Sequence, residues 1–249
     1  MRVALFSTAP LWERKDANFD LCVSRIAEAA RHKARVAVFP EMTLTGFSMN
    51  AEKTAEPQQG SPSVRRFSET AKRHKVGVIF GAVLRSGRKI TNQLIVTDRK
   101  GLVRGRYAKR HLFAFAGEDR AYQKGTKAVT ARVDGARFGL SICYDLRFPD
   151  VFAPMARKCD AIVNIANWPN ARMDHWFALL KARAIENQTY MIGVNRTGRD
   201  GNGLVYRKSS AVFGPDGRRL EPLYQQKQTD VYELDLGSLR RYRRGFPFR

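Results

Sequence analysis

A cysteine, a glutamate and a lysine each stand where an apolar stretch of the sequence ends. Cys143 closes ARFGLSIC, Glu41 closes ARVAVFPE, and Lys109 follows GLVRGRYA. A thiol attacks a carbonyl or nitrile carbon as the thiolate, and with a free pKa of about 8.5 it needs a base or a cation nearby. Glu41 could be that base, and Lys109 could stabilise the thiolate and the oxyanion that follows. Together the three residues have the chemistry of a cysteine hydrolase.

Each of these residues also has an ordinary structural interpretation. A cysteine in a strand is commonly a small buried hydrophobe, and we interpret Cys22 and Cys159 in that way. The glutamate after FP can cap a turn, a lysine among arginines is usually solvated, and His111 can be a satisfied core residue. Spacing alone leaves both interpretations open.

Short apolar strands alternating with helices must position these residues, and this alternation is typical of an α/β protein. Helical spacing predicts helices over residues 18–32, 61–75, 149–158 and 175–188, with Asn18 as the cap of the first. Predicted strands cover residues 1–7, 34–41, 76–84, 92–98, 136–143, 159–169, 189–198, 209–215 and 229–236. Predicted turns lie at residues 99–101, 200–203 and 215–218.

The ends of these strands suggest where a site would form. In a layered α/β fold, strand ends converge on one rim of a sheet, and we expect the three reactive side chains to meet there. Glu118 lies in a polar loop, GEDRAYQKG, that follows Lys109. No repeat or flexible linker divides the sequence, so residues 1–249 are expected to form a single domain.

Charge is the unusual feature of the composition. The chain of 249 residues is 43% hydrophobic, and its 45 Lys and Arg against 23 Asp and Glu give a formal charge of +22. Such an excess attracts polyanions, but the basic residues are scattered and match no known nucleic-acid-binding module. We expect a solvated basic surface and no specific nucleic-acid partner, although the terminal block LRRYRRGFPFR could hold an anionic partner or another subunit.

Cysteine content and hydropathy indicate the cellular compartment in which the protein is expected. Three widely spaced cysteines fit neither a disulfide framework nor a zinc site. The N-terminal apolar run is too short for a signal peptide, and no stretch approaches the ~20 apolar residues that span a bilayer. We therefore expect a cytoplasmic protein with no membrane partner and with no metal or organic cofactor.

Three motifs resemble a known family. FPEMTLTGF, KRHLF and SICYDLRFPD are similar to the Glu, Lys and Cys motifs of the nitrilase superfamily, the carbon-nitrogen hydrolases, and occur in that family's order. The segment from ANWPNARMDHW to TGRDGNG is similar to the bacterial omega-amidases, which hydrolyse the terminal amide of 2-oxo-dicarboxylic monoamides. The resemblance implies a four-layer αββα sandwich and a homodimer or higher homo-oligomer, with the segment after Cys143 and residues 182–188 near the interface.

The resemblance also implies roles for residues at matching positions. Glu41 would be the general base and acid, Lys109 the cation that stabilises the oxyanion, and Cys143 the nucleophile. Glu118 matches a second glutamate that orients the lysine and the substrate amide. The backbone N–H of Tyr144, next to the nucleophile, would also bind the oxyanion.

The remaining expectations concern the substrate. The small-molecule amide would be 2-oxoglutaramate or 2-oxosuccinamate, hydrolysed to the acid and ammonia through a cysteine thioester. Its carboxylate needs a cation or several N–H donors, for which Arg147, Arg172 and Arg196 are candidates, while Trp168 and Trp176 could wall the pocket. Alternatives are an amidase or nitrilase acting on deaminated glutathione, an N-carbamoyl compound or a nitrile, and a basic nucleic-acid-binding protein with a vestigial site.

Overall fold

The computed structural model describes residues 1–247 and is built from strands and helices in alternation. The strands are Arg2–Phe6 (β1), Val36–Val38 (β2), Glu56–Pro57 (β3), Gly77–Ser86 (β4), Lys89–Thr97 (β5), Val103–Ala108 (β6), Thr130–Val133 (β7), Ala136–Ile142 (β8), Ala161–Ala166 (β9), Tyr190–Asn195 (β10), Gly198–Arg199 (β11), Val205–Tyr206 (β12), Ala211–Phe213 (β13), Tyr224–Gln225 (β14) and Thr229–Glu233 (β15). The α-helices are Lys15–Arg31 (α1), Ala51–Thr54 (α2), Pro62–His74 (α3), Glu118–Ala121 (α4), Pro149–Phe152 (α5), Met173–Asn187 (α6) and Leu236–Gly245 (α7). Short 3-10 helices occur at Ala114–Ala116, Cys143–Arg147, Ala156–Lys158 and Asn170–Arg172.

Two large sheets carry most of these strands. Among the described residues, eight strands form the first sheet in the order β14-β15-β1-β2-β4-β5-β6, with β3 paired to β4. Five strands form the second sheet in the order β13-β10-β9-β8-β7. Strands β1, β2 and β4 run parallel in the first sheet, and β8, β9 and β10 run parallel in the second.

The alternation of side chains along each strand explains how the sheets are layered. In β2, Val36 and Val38 face the second sheet, whereas Ala37 faces the helices on the other side. Successive side chains of a strand point to opposite faces, so a strand that is apolar on both faces must be covered on both. Helices α1 and α3 cover the outer face of the first sheet, and α5 and α6 pack on the second sheet. The predicted four-layer α/β fold is confirmed.

Side chains explain where two helices begin. Ser61 caps α3, since its hydroxyl accepts a hydrogen bond from the Val64 N–H at 3.2 Å and a proline follows it. The predicted cap Asn18 is wrong, because α1 begins three residues earlier at Lys15. The Asn18 amide instead donates to the carbonyl oxygens of Leu11 and Leu44 at 2.7 and 2.8 Å.

Two predicted elements end earlier in the structure than the sequence indicated. The helix predicted over residues 149–158 ends at Phe152, since Pro154 has no N–H to continue it. The strand predicted to reach residue 236 ends at Glu233, and α7 follows with Asp235 as its cap. Much of the basic block LRRYRRGFPFR therefore lies on a helix, and its last two residues, 248 and 249, lie outside the described residues.

The predicted turns are confirmed, and each is closed by a glycine N–H: Gly101 donates to Asp98, Gly203 to Asp200 and Gly217 to Gly214. The helices among residues 1–247 are too short or too polar to cross a lipid bilayer.

Candidate active site

The three reactive residues lie beyond the carboxyl ends of strands from two different sheets. Glu41 follows β2 and Lys109 follows β6, and both strands run in the same direction in the first sheet. Cys143 follows β8 of the second sheet. The expectation of one rim of one sheet is therefore wrong. The stacking of the two sheets places their carboxyl ends side by side, and the residues meet across the gap.

Lys109 is buried and holds two carboxylates. Its ammonium donates to Glu41 Oε1 at 2.9 Å and to both oxygens of Glu118, at 3.0 and 2.8 Å. All three side chains are fully buried. Burial lowers the pKa of Lys109, but the charges of Glu118 and Glu41 outweigh it and raise that pKa well above its usual value. The two carboxylates therefore favour the charged form of the ammonium.

The Glu118 side chain is buried, although Asp119 and Arg120 in the same short helix are exposed. Glu118 is the first residue of α4, and Gly117 before it adopts φ of 74°, which a residue with a side chain rarely does. Its Oε2 also accepts the backbone N–H of Phe113 at 2.7 Å. This hydrogen bond orients the Glu118 carboxylate independently of its ion pair with Lys109.

Two asparagines that sequence reasoning missed complete the surroundings of Glu41. Asn92, in β5, donates to Glu41 Oε1 at 2.7 Å and to Glu118 Oε1 at 3.0 Å. Asn167, just after β9, donates to Glu41 Oε2 through its backbone N–H at 3.0 Å and its side-chain amide at 3.2 Å. A buried amide in an apolar strand needs partners, and this was the signal that could have identified them.

A glycine allows the segment of Glu41 to approach the sheet. A Cβ atom added at Gly81 of β4 would lie 2.3 Å from the backbone nitrogen of Met42 and 2.9 Å from the carbonyl carbon of Glu41. Thr43 locks this contact, because its hydroxyl accepts the Gly81 N–H at 2.9 Å. The backbone on either side of Glu41 is therefore held directly against β4.

Cys143 lies at a strained turn from β8 into a 3-10 helix. Its φ of 46° is in the left-handed region, which is uncommon for a residue other than glycine. The thiol lies 3.9 Å from the carbonyl oxygen of Asn167, the residue that also binds Glu41. Cys22 and Cys159 are both buried in apolar surroundings, as expected.

The surroundings of the Cys143 thiol favour its protonated form. Burial raises its pKa well above the usual value, the charge of Glu41 raises it further, and the opposing effect of Lys109 is smaller. Lys109 favours the thiolate, as predicted, but burial and the charge of Glu41 outweigh its effect. A base beside the sulfur is therefore needed to take its proton.

A cavity of about 400 Å³ opens onto Cys143. Its wall is mainly aromatic and apolar, with two arginines and two asparagines. The lining residues are Phe47, Phe113, Phe115, Ala116, Cys143, Tyr144, Arg147, Asn167, Trp168, Pro169, Arg172, Asn202, Leu204 and Tyr206. Within residues 1–247, no group of three or more His, Cys, Asp or Glu side chains is arranged to hold a metal ion.

Three of the predicted substrate-binding residues line this cavity. Arg147 donates to His175 Nδ1 at 3.0 Å, and its guanidinium lies 5.2 Å from the Trp168 ring. Arg172 lies 5.3 Å from the ring of Phe113. The cavity wall therefore contains two cations supported by aromatic faces. The Tyr144 side chain also lines the cavity, and the role of its backbone N–H stays a prediction.

Two other predicted residues lie outside the cavity wall. Arg196 is fully buried, and its guanidinium donates to the carbonyl oxygens of Thr197 and Arg199 at 3.2 and 3.1 Å. Its guanidinium lies 4.7 Å from the centre of the Tyr206 ring, and Tyr206 itself lines the cavity. Trp176 is buried in the core, with its indole N–H donating to the Ser209 carbonyl at 2.9 Å.

Comparison with known proteins gives consistent relatives. The family model described as carbon-nitrogen hydrolase matches residues 2–244. The chain is 37% identical over 213 residues to omega-amidase YafV of Escherichia coli K12, covering 85% of this chain and 82% of that protein. It is 31% identical over 225 residues to the 2-oxoglutaramate amidase of Bacillus subtilis, covering 89% and 86% of the two chains.

Solved structures agree with this result. A CN-hydrolase superfamily protein of Xanthomonas campestris, with an arsenic adduct in its active site, superposes with a TM-score of 0.89 at 31% identity and covers 99% of this chain and 95% of its own. A Saccharomyces cerevisiae member of branch 10 of the nitrilase superfamily superposes with a TM-score of 0.87 at 25% identity, covering 100% and 94%.

Proposed function

Because the chain belongs to the carbon-nitrogen hydrolase family, we propose that it is an omega-amidase that hydrolyses the terminal amide of a 2-oxo-dicarboxylic acid monoamide. The substrates would be 2-oxoglutaramate or 2-oxosuccinamate, and the products the dicarboxylic acid and ammonia. One observation carries the proposal: the buried contacts of Lys109 with Glu41 and Glu118, beside a cysteine that opens onto a cavity. The names of the bacterial relatives support the substrate class.

In the first half of the reaction, Cys143 Sγ adds to the amide carbon while its proton passes to Glu41. The amide oxygen becomes an oxyanion, which the charge of Lys109 and the backbone N–H of Tyr144 stabilise. The carbon–nitrogen bond then breaks as Glu41 returns the proton to the nitrogen. Ammonia leaves, and the acyl group remains on Cys143 as a thioester.

In the second half, Glu41 deprotonates a water molecule, whose oxygen adds to the thioester carbon. The carbon–sulfur bond breaks, the proton returns to the sulfur, and the carboxylic acid is released. The raised pKa of the Cys143 thiol fits this cycle, because a neutral thiol needs a base in each turnover. Asn92 and Asn167 hold the Glu41 carboxylate at both oxygens, so the base is oriented before the substrate arrives.

The 2-oxo acid end of the substrate would bind at Arg147 and Arg172. A carboxylate pairs well with a guanidinium, and both arginines line the cavity. The Trp168 ring beside Arg147 limits the orientations that the Arg147 guanidinium can adopt. The remaining aromatic wall fits the short apolar chain between the two ends of the substrate.

A substrate panel tests the proposal. Ammonia release would be measured with 2-oxoglutaramate, 2-oxosuccinamate, deaminated glutathione, an N-carbamoyl amino acid and an aliphatic nitrile. We expect the two oxo acid amides to be hydrolysed fastest, and a preference for another compound would overturn the substrate class.

The nucleophile is tested separately by mass spectrometry of enzyme quenched during turnover. We expect an acyl adduct on the peptide that contains Cys143, and no turnover in Cys143→Ala. Cys22→Ala is the matched control, since Cys22 is also a buried free thiol but lies in the helix core. Turnover retained by Cys143→Ala would refute its role.

We also propose that the protein is a cytoplasmic homodimer, with the segment after Cys143 and residues 182–188 near the interface. Ile185 supports this, because this apolar side chain on α6 is 41% exposed in the single chain. Sedimentation velocity should show a dimer for the unmodified protein and a shift towards monomer for Ile185→Asp. A monomer at micromolar concentration in the unmodified protein would contradict the proposal.

A further inference from the structure

Asp145 is a buried carboxylate that the reaction cycle does not use. It lies two residues after Cys143 and is fully buried. Its Oδ2 accepts the Tyr107 hydroxyl at 2.8 Å and the Ile142 N–H at 3.0 Å. Its Oδ1 accepts the His111 backbone N–H at 2.9 Å and lies 3.2 Å from His111 Nδ1. All four contacts connect the carboxylate to groups that can donate.

The partners of Asp145 flank two reactive residues. Tyr107 and His111 lie two residues before and two residues after Lys109, while Ile142 immediately precedes Cys143. Tyr107 belongs to β6 of the first sheet, and Ile142 ends β8 of the second. One carboxylate therefore ties together the two segments that carry the cation and the nucleophile.

We propose that Asp145 is a positioning residue that sets the placement of the Cys143 thiol relative to the Lys109 ammonium. The inference rests on the proposed roles of those two residues. The left-handed φ of 46° at Cys143 is a strained conformation, which persists only where the surroundings enforce it. The hydrogen bond from the Ile142 N–H to Asp145 closes the turn around Cys143 and supplies that enforcement.

A carboxylate is the side chain that this position requires. Each oxygen of Asp145 accepts one backbone N–H, from His111 at Oδ1 and from Ile142 at Oδ2, so an amide nitrogen at either place would leave that N–H without its acceptor. The His111 ring is held in place as well, because it stacks on Phe148 at 3.8 Å with an angle of 6° between the planes. Asparagine thus keeps the shape of Asp145 and loses its function.

The test compares Asp145→Asn with Asp150→Asn, a matched control. Asp150 also links the Lys109 segment to the Cys143 segment, through Arg110 at 2.8 Å, but its side chain is 57% exposed. Two readouts are taken well below the melting temperature. One is kcat and KM for 2-oxoglutaramate. The other is the second-order rate of acrylamide addition to Cys143, followed by mass spectrometry, which needs no amide hydrolysis.

We expect Asp145→Asn to lower kcat by about 100-fold, the effect of a misplacement of about 1 Å, with KM within about threefold. The rate of acrylamide addition should fall in parallel, and Asp150→Asn should change neither. Unchanged kcat and addition rate in a folded Asp145→Asn would overturn the proposal, as would a rise in KM at unchanged kcat.

Tyr107→Phe keeps the inference testable if Asp145→Asn does not fold. This variant removes one of the four contacts and leaves the charge in place, so we expect about a tenfold loss in both rates at a retained melting temperature. Wild-type rates in this variant would overturn the proposal. If no oxo acid amide is hydrolysed by the unmodified protein while the acrylamide rates follow the expected order, the substrate proposal fails and the positioning role stands.

Discussion

Replacing Lys109 by methionine isolates the contribution of one buried charge. Methionine keeps an unbranched chain of similar length but removes the ammonium and its contacts at 2.8 to 3.0 Å. Glu41 and Glu118 would then be two fully buried carboxylates that share the Asn92 amide and have no cation between them. Both folding and catalysis should suffer, for reasons that can be measured separately.

The size of each effect follows from this geometry. Removing one partner of a buried ion pair costs about 3–5 kcal/mol in the free energy of unfolding, which lowers the melting temperature of a chain this size by about 6–20 °C. Loss of one oxyanion-stabilising group costs about 3–4 kcal/mol of transition-state stabilisation, or about 10²–10³ in kcat. The double variant Lys109→Met/Glu118→Gln removes one of the two carboxylate charges. It should recover part of the stability and none of the activity.

Denaturant unfolding and ammonia release provide the two assays. Lys53→Met is the matched control, because Lys53 pairs with Glu13 at 2.6 Å but its side chain is 69% exposed, and exposed pairs contribute about 0–1 kcal/mol. The reasoning is refuted if Lys109→Met loses no more stability than Lys53→Met, or if it retains more than about a tenth of the wild-type kcat. Recovery of activity in the double variant would refute the assignment of the oxyanion role to Lys109.

Three further predictions concern the same site. Gly81→Ala should lower the free energy of unfolding, measured by calorimetry, by about 1–3 kcal/mol and should also lower activity, since its Cβ would lie 2.3 Å from the Met42 nitrogen. The control Gly245→Ala should show no comparable loss, because its added Cβ meets nothing within 4 Å. Ultraviolet titration, taken as the difference from Cys143→Ser, should show half-ionisation of Cys143 only above about pH 8.5, the pKa of a free thiol, because burial and the charge of Glu41 raise the Cys143 pKa. Half-ionisation at or below that pH would contradict this. Arg147→Gln should raise KM for 2-oxoglutaramate by about 10–100-fold, which corresponds to the loss of about 1.5–3 kcal/mol for a hydrogen bond to a charged group. Hydrolysis of a neutral aliphatic amide should be unchanged. Equal effects on both substrates would argue against carboxylate binding by Arg147.

Local pattern predicted an α/β protein with the three reactive residues at strand ends, whereas the four-layer arrangement and the roles of those residues came from the family resemblance. The strand periodicity of ARVAVFPE and ARFGLSIC located Glu41 and Cys143 at strand ends, and the structure places both there. It did not show that the strands belong to different sheets, because hydrophobic alternation specifies that a strand is buried and not which strand lies beside it. The contact between residues 41 and 167 spans 126 positions and has no local signature.

Polar residues were harder to assign than apolar ones. Asn92 was read as part of an ordinary strand, and only the folded chain shows that its amide bridges two carboxylates. Arg196 has the charge of a substrate ligand, but its side chain is buried, where it donates to two backbone carbonyls and packs on Tyr206. Helix α7 was missed because its arginines were interpreted as a surface block. One of them, Arg243, donates to the carbonyls of Gln188 and Cys159, each at 2.8 Å.

The position of β1 has a consequence for biosynthesis. This strand lies between β2 and β15 in the first sheet, and Arg2 pairs with Glu233, which follows it by 231 residues. One side of β1 must therefore remain unpaired until β15 has been synthesised. During that interval the nascent chain exposes an apolar strand edge that can pair with other chains. The yield of folded protein in cells should therefore depend more on chaperones that bind during synthesis than on the stability of the folded enzyme.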